Sequence, residues 1–174
     1  MSRAAGRRLF FALWPEPCFG RQLLGLPGAI GADPVQVADL HLTVLFLGRV
    51  PEHLVAPLAA AAGQLRLPAV RQPLLRLEAW PESGVLCLVG EPVAALDELR
   101  QALGRIAAAV GLVLAREHRE FRAHVTLARR IMPSRFSAPA FEPLVLLSGR
   151  FSLAESVPQP DGRRYRILHS WPLQ

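Results

Sequence analysis

Residues 40–44 read Leu40-His41-Leu42-Thr43-Val44, and residues 123–127 read Ala123-His124-Val125-Thr126-Leu127. Both are apolar–His–apolar–Thr–apolar. Val37 to Leu47, closed by Gly48, and Phe121 to Arg129 read as strands. Side chains alternate between the faces of a strand, so His41 and Thr43 point one way while Leu42 and Val44 point the other. The same alternation sets His124 and Thr126 against Val125 and Leu127. Each strand buries its aliphatics and offers an imidazole and a hydroxyl side by side. Two copies predict two lobes related by an approximate two-fold, with the polar faces meeting at a cleft.

The chemistry of such a cleft follows from its groups. Two imidazoles with ordinary pKa values near 6.5 can divide labour at neutral pH, one taking a proton and one giving it. Two hydroxyls can hydrogen-bond non-bridging phosphate oxygens. The set suits in-line attack on a phosphodiester and requires no metal ion. A single His-x-Thr on a strand is ordinary core or surface filling; the specificity lies in the pair.

The rest of the chain predicts alternating elements. Leu9 to Trp14 reads as a buried strand, followed by a helix from Glu16 to Leu26 and a loop at Gly31 to Pro34. Pro51 opens a helix whose apolar positions are Leu54, Val55, Leu58, Ala61, Ala62 and Leu65. Leu75 to Trp80 and Val85 to Val89 form a hairpin around Pro81-Glu82-Ser83-Gly84. A second helix starts at Pro92 and stops at Gly111, with Val93, Leu96, Leu99, Leu103, Ile106 and Val110 on one face. Strands follow at Leu112 to Ala115, Leu144 to Glu155 and Arg164 to Trp171, the last two separated by the turn at Pro158 to Gly162. The order predicts an α+β fold with helices on the outer side of the sheet.

Composition narrows the class. The chain has 174 residues, enough for one domain of two lobes over residues 1–174. Hydrophobic residues make up 51% and charged residues 20%, which excludes disorder as the dominant state. No apolar run approaches the roughly 20 residues of a membrane helix. Arginine supplies all 20 positive charges against 14 carboxylates, a formal +6 that favours phosphate-bearing partners. Codon bias is an equally good source of that excess. Cys18 and Cys87 sit in apolar contexts and are expected as buried free thiols in a cytoplasmic protein.

Asp39 shares the His41 face on a continuous strand; it either orients the imidazole or is a solvated strand-entry residue. His53, His118 and His169 read as surface or core residues. The run Arg116 to Arg122 reads as a solvated loop, or as a guide for RNA. Phe10, Phe11 and Phe46 read as core, whereas Trp14, Trp80 and Tyr165 stand at strand ends where a ring can stack on a base. No Gly-Lys-Ser/Thr phosphate loop and no GxSxG is present.

The paired motifs resemble those of the 2H phosphoesterase superfamily. The wider strings Arg8-Leu9-Phe10-Phe11-Ala12-Leu13, His41 to Gly48, Phe121 to Arg129, Gly162-Arg163-Arg164-Tyr165 and Trp171-Pro172-Leu173 are similar to bacterial RNA 2′,3′-cyclic phosphodiesterases, the 2′-5′ RNA ligase-like proteins. The resemblance spans nearly the whole chain. It implies a bilobal α+β fold with two antiparallel sheets facing a central cleft. It implies hydrolysis of an RNA 2′,3′-cyclic phosphate to a 2′-phosphomonoester, with no cofactor and no metal. By motif position His41 is the proton donor to the departing 3′ oxygen and His124 the acceptor that activates water. Thr43 and Thr126 hold the phosphate. The family pattern puts a phosphate-contacting arginine at Arg129, whereas strict alternation puts Arg130 on the His124 face; a bulge reconciles the two. The expected partner is RNA or an oligonucleotide with a cyclic end, without membrane or obligatory protein partner, and the chain is expected as a monomer. Two other readings stay open at this point: 2′-5′ joining or cleavage at the same site, and a basic RNA-binding module without turnover.

Overall fold

The computed structural model describes residues 6–23, 33–114, 120–131, 137–138 and 140–174, with the Pro17 side chain left aside. In chain order the elements are β1 (Gly6–Leu13), α1 (Pro17–Leu23), β2 (Asp33–Pro34), a 3₁₀ turn (Val37–Asp39) and β3 (Leu42–Pro51). Then come α2 (Glu52–Ala62), β4 (Val70–Leu74), β5 (Arg76–Trp80), β6 (Val85–Gly90) and α3 (Ala94–Ala109). β7 (Ala123–Arg129), β8 (Leu144–Ser148), β9 (Arg150–Ser156) and β10 (Tyr165–Pro172) complete the order. No described helix is long and apolar enough to cross a membrane.

The α+β class agrees with the sequence reading, but the sheets do not stand apart. One antiparallel path runs β10-β9-β1-β3-β7-β6-β5, with β2 added to β7. A separate two-stranded sheet pairs β4 with β8. The long path has a narrow middle: β3 and β7 are joined at one residue pair, Leu42 with Val125. These are the central residues of the two His-x-Thr motifs.

Alternation divides each strand between two faces. Leu9, Phe11 and Leu13 of β1, Leu42 of β3, Leu86 and Leu88 of β6, and Val125 and Leu127 of β7 enter the main core. The helices cover that face. α2 contributes Val55, Leu58, Ala59 and Ala62, and α3 contributes Leu96, Leu99, Leu103 and Ala107, at the spacing of one helical stripe. The opposite face carries two small apolar clusters. One is Phe10, Ala12 and Ala154 with Trp14 and Tyr165; the other is Val85, Cys87 and Val89 with Trp80.

Several boundaries differ from the sequence reading. The strand expected from Val37 begins only at Leu42, because residues 37–39 close a 3₁₀ turn through Leu40 N–H to the Val37 carbonyl. Gly48 does not end β3. It adopts φ +71° inside the strand, where Leu47 is the extra residue of a bulge against Leu9 and Phe10. Val70–Leu74 is a strand the pattern missed, since its polar Gln72 is wholly buried and Pro73 interrupts it. Leu144 to Glu155 is two strands broken at Gly149: the first pairs with β4 and the second with β1 and β10. Leu112–Leu114 is not a strand. Cys18 is exposed, contrary to expectation, whereas Cys87 is buried. Residues 24–26, 31–32 and 115, where expected elements ended or began, lie outside the described residues.

Buried Gln72 is retained because all its polar atoms are used. Its amide donates to the carbonyls of Pro73 and Glu91, both at 2.7 Å, and accepts Val93 N–H at 3.1 Å. The neighbouring backbone is so close that a Cβ on Gly90 would stand 2.0 Å from the Pro73 carbonyl oxygen. Gly90→Ala is therefore expected to destabilise the fold by about 3 kcal/mol, the upper end for overpacking. Denaturant unfolding measures it, and a loss below about 0.5 kcal/mol would contradict the packing described.

Candidate active site

The single Leu42–Val125 pair organises the polar face. Antiparallel register carries one residue further on each side, setting His41 beside Thr126 and Thr43 beside His124. All four lie opposite the aliphatics that enter the core. Cross-strand pairs confirm the face: His124 stands across from Val89, Thr126 across from Cys87 and Thr43 across from Ala12. His41 itself precedes β3, one residue after the extended Leu40 that closes the 3₁₀ turn, rather than lying within a strand.

The two imidazoles are held in the same way. His41 Nδ1 is 2.7 Å from the Asp39 carbonyl, and His124 Nδ1 is 2.8 Å from the Arg122 carbonyl. A carbonyl only accepts, so each Nδ1 carries the proton. That fixes the neutral tautomer with its lone pair on Nε2. His41 Nε2 lies 3.1 Å from Thr43 Oγ1, and the hydroxyl therefore donates while the ring is neutral.

Aromatic rings close around both histidines. His41 stacks on Trp14 at 5.1 Å, tilts against Phe10 at 5.1 Å and meets Tyr165 edge-on at 4.7 Å. His124 tilts against Trp80 at 4.7 Å. Burial pushes the His41 pKa down to about 4, against an opposing lift from the Asp39 carbonyl, with His124 and Arg129 adding repulsion. Burial lowers His124 as well, and the Arg122 charge lowers it further. Cys87 lies beneath, its Sγ 3.7 Å from Thr126 Oγ1, and burial pushes the thiol up to about 12.

A bulge settles which arginine faces His41. β7 has an extra residue, Leu127, between the pairs Ala128–Leu86 and Thr126–Cys87. Leu127 and Ala128 are consequently both in the core, and alternation resumes with Arg129 opposite Val85 on the polar face. Arg129 Nη2 donates to Tyr165 OH at 3.1 Å, and its Nε is sealed off without a partner among the described residues. Arg130 turns away at φ +53° and pairs with Asp33.

Asp39 is neither solvated nor in contact with the imidazole through its carboxylate. It is 3% exposed, and Oδ2 accepts Arg164 N–H at 2.7 Å. That bond ties the turn before His41 to the start of β10, where Tyr165 stands. The second flank has its own anchor, which sequence reasoning missed. Glu78 accepts from Arg122 at 2.5 Å, from Trp80 Nε1 at 3.2 Å and from Arg76 Nε at 3.3 Å. Burial raises its pKa, but those hydrogen bonds outweigh burial and hold the carboxyl below its usual range. The strand spacing of Glu78 and Trp80 was the available signal. Phe10 is buried, yet on the histidine face rather than in the main core. His53 and His169 are exposed and away from the pair; His118 lies outside the described residues.

A cleft of about 920 Å³ opens beside His124. Thr43, Phe46, Trp80, Glu82, Glu120 and Arg122 are among its lining residues.

No family model matches. A curated RNA 2′,3′-cyclic phosphodiesterase from Thermus thermophilus is 32% identical over 153 residues, covering 83% of this chain and 77% of that protein. A crystal structure of a phosphoesterase superposes with TM-score 0.80 at 29% identity, over 97% of this chain and 99% of its own. The crystal structure of E. coli LigT complexed with 3′-AMP superposes with TM-score 0.79 at 28% identity, over 97% and 99%.

The lowered histidine pKa values have a stability consequence. The fold holds both rings neutral, whereas the unfolded chain protonates them near 6.5. The unfolded state then binds more protons below pH 6.5, and stability is lost as pH falls from there toward about 4, where folded His41 titrates. His41→Asn should flatten that fall, by no more than about 3 kcal/mol at pH 4. Denaturant unfolding across pH 4 to 7 measures it; an identical fall in parent and variant would contradict the burial of His41.

Proposed function

The chain belongs to the RNA 2′,3′-cyclic phosphodiesterase family of 2H phosphoesterases, and from that premise we propose that it hydrolyses 2′,3′-cyclic phosphate ends of RNA or oligonucleotides to 2′-phosphomonoesters. The observation that carries this reading is the matched anchoring of His41 and His124, each by Nδ1 on the carbonyl two residues earlier. Two Nε2 atoms are thereby left for proton transfer, on either side of a face furnished with two hydroxyls and Arg129.

Water attacks phosphorus in line with the bond to the 3′ oxygen. His124 Nε2 takes the water proton, and His41 gives its Nε2 proton to the departing 3′ oxygen. The P–O3′ bond breaks, the 2′ ester remains, and proton exchange with solvent restores both rings. Thr43, Thr126 and Arg129 hold the non-bridging oxygens. Each proton transfer is typically worth 10²- to 10⁴-fold. Both steps use side chains of the chain itself, so the mechanism calls for no metal ion.

His41 must be charged to act as donor, and burial opposes that. The anionic phosphate supplies the compensating charge, so substrate binding loads the acid. Protonation also ends the Thr43 donation to the ring, because charged His41 has no lone pair left to accept it. Charged His41 donates from both nitrogens, and the Thr43 hydroxyl proton turns from the ring toward a phosphate oxygen. Donor and phosphate clamp are thus set by one event.

His41→Ala and His124→Ala should each lower kcat on a nucleoside 2′,3′-cyclic phosphate at least about 100-fold. The parent should retain its rate in chelator and release the 2′-phosphate. Abolition by chelator would contradict the mechanism. Faster turnover of a 2′-5′-linked dinucleotide, or no turnover at all, would replace the reading.

The pH profile is a second check. Both free-state pKa values lie below 6.5, so kcat/KM should peak below pH 6.5. The kcat optimum should lie at higher pH, because bound phosphate raises the donor. Coincident optima above pH 7 would contradict this account.

A further inference from the structure

We propose that Glu78 is a positioning residue for His124: its carboxylate cancels the Arg122 charge and fixes the Trp80 ring, and through these two groups keeps the imidazole basic and in place. This rests on the reading of His124 as the base that activates water. The contacts converge on one oxygen. Two groups hold the His124 ring, the Arg122 carbonyl at 2.8 Å from Nδ1 and the Trp80 ring at 4.7 Å. Glu78 Oε2 accepts from both of those residues, from Arg122 Nη2 at 2.5 Å and from Trp80 Nε1 at 3.2 Å. The Arg122 guanidinium also lies over the Trp80 ring at 5.2 Å, which closes the triangle. Glu78 Oε1 accepts from Arg76 Nε at 3.3 Å, so both carboxylate oxygens are held.

Strand register explains the convergence. Glu78 stands across from Cys87 of β6, and Cys87 stands across from Thr126 of β7. Glu78 is therefore on the histidine face, two strands from the second motif. Alternation puts Arg76 and Trp80 on that face with it. The arginine nearest the other histidine is treated differently. Arg129 donates to the Tyr165 hydroxyl and has no carboxylate partner among the described residues, so its charge stays available to a phosphate. Glu78 withdraws Arg122 from that task.

Charge makes the arrangement consequential. An arginine stays ionised at every working pH, and a cation beside an imidazole disfavours its charged form. An imidazole whose charged form is disfavoured is a weaker base. Arg122 acts on His124 in that sense. Glu78 supplies the opposite charge at hydrogen-bond distance from the same guanidinium. The other charged groups on this face are Arg129 of β7, Arg76 of β5 and, when protonated, His41 of the first motif. β6 adds the Cys87 thiol, which burial keeps neutral. Glu82 and Glu120 line the cleft, and their charges act in the same direction as that of Glu78. Glu78 is set apart by its grip on the residue whose carbonyl holds His124.

The test is NMR titration of the His124 Cε1–H signal in the ligand-free parent, Glu78→Gln, Arg122→Gln and the double variant. Glu78→Gln keeps the side-chain shape and removes the charge. Two inter-strand steps, about 10 Å, put the expected fall of the His124 pKa in Glu78→Gln at about 0.3 to 1. Arg122→Gln should raise the value, and the double variant should return to within about 0.3 of the parent, because the two charges cancel. Glu78→Gln should also lower kcat on a nucleoside 2′,3′-cyclic phosphate at least about threefold, with KM within about twofold. A purely structural Glu78 would lower stability and leave the four titrations superimposed, which overturns the proposal. An unchanged or raised value in Glu78→Gln overturns it, and so does an unchanged kcat. If Glu78→Gln fails to fold, Arg122→Gln decides: a raised value supports the proposal, and a value at or below that of the parent counts against it. These titrations need no turnover, so their failure leaves the cyclic-end reading intact. Absence of turnover in the parent overturns that reading, and with it the role given to Glu78.

Discussion

One residue pair, Leu42 with Val125, holds the arrangement together. Both side chains are wholly buried in the main core, on the side the helices cover. Because the pairing is antiparallel, the flanking residues of each motif fall into a two-fold pattern on the other side. Histidine of one motif stands beside threonine of the other, twice. No long-range geometry is needed beyond this pair: apolar burial below sets the polar quartet above. A one-residue slip of either strand would exchange that strand's faces and put its histidine into the core.

The next level is how each ring is held. The backbone carbonyl two residues earlier fixes each tautomer, and neighbouring strands wrap the imidazoles in aromatic surface. The two effects oppose each other at His41. The carbonyl favours the charged ring, burial disfavours it, and burial wins. Under the proposed function, the phosphate of the substrate supplies the charge that this state withholds. The flanks are braced independently, by Asp39 on the Arg164 backbone and by Glu78 on Arg122, Trp80 and Arg76. Glu155, held below the usual carboxylate range by hydrogen bonding from Arg7 and Arg166, ties β1 to β9 and β10 at the far end.

The sequence carried the α+β class and the two histidines and two threonines of the polar face, because period-two alternation and the repeated motif are local signals. It carried less about how the halves join. A single bridging pair leaves no trace in composition, so two facing sheets were expected where one path exists. Bulges were the other gap. Alternation alone favoured Arg130; the extra residue at Leu127 brings Arg129 to the face instead. Asp39 read as a strand-entry residue because the 3₁₀ turn before His41 has no strong pattern. Trp14, Trp80 and Tyr165 were visible as strand-end rings, but only the fold shows that each packs on an imidazole.

The central claim is that His41 and His124 face one phosphate from a buried, neutral resting state. Titration of the two imidazole Cε1–H NMR signals, with and without a nucleoside 2′-phosphate, tests it most directly. The account predicts free values below 6.5 for both rings, that of His41 near 4, and an upward shift of both on binding. Two values near 6.5 that do not move with ligand would contradict it.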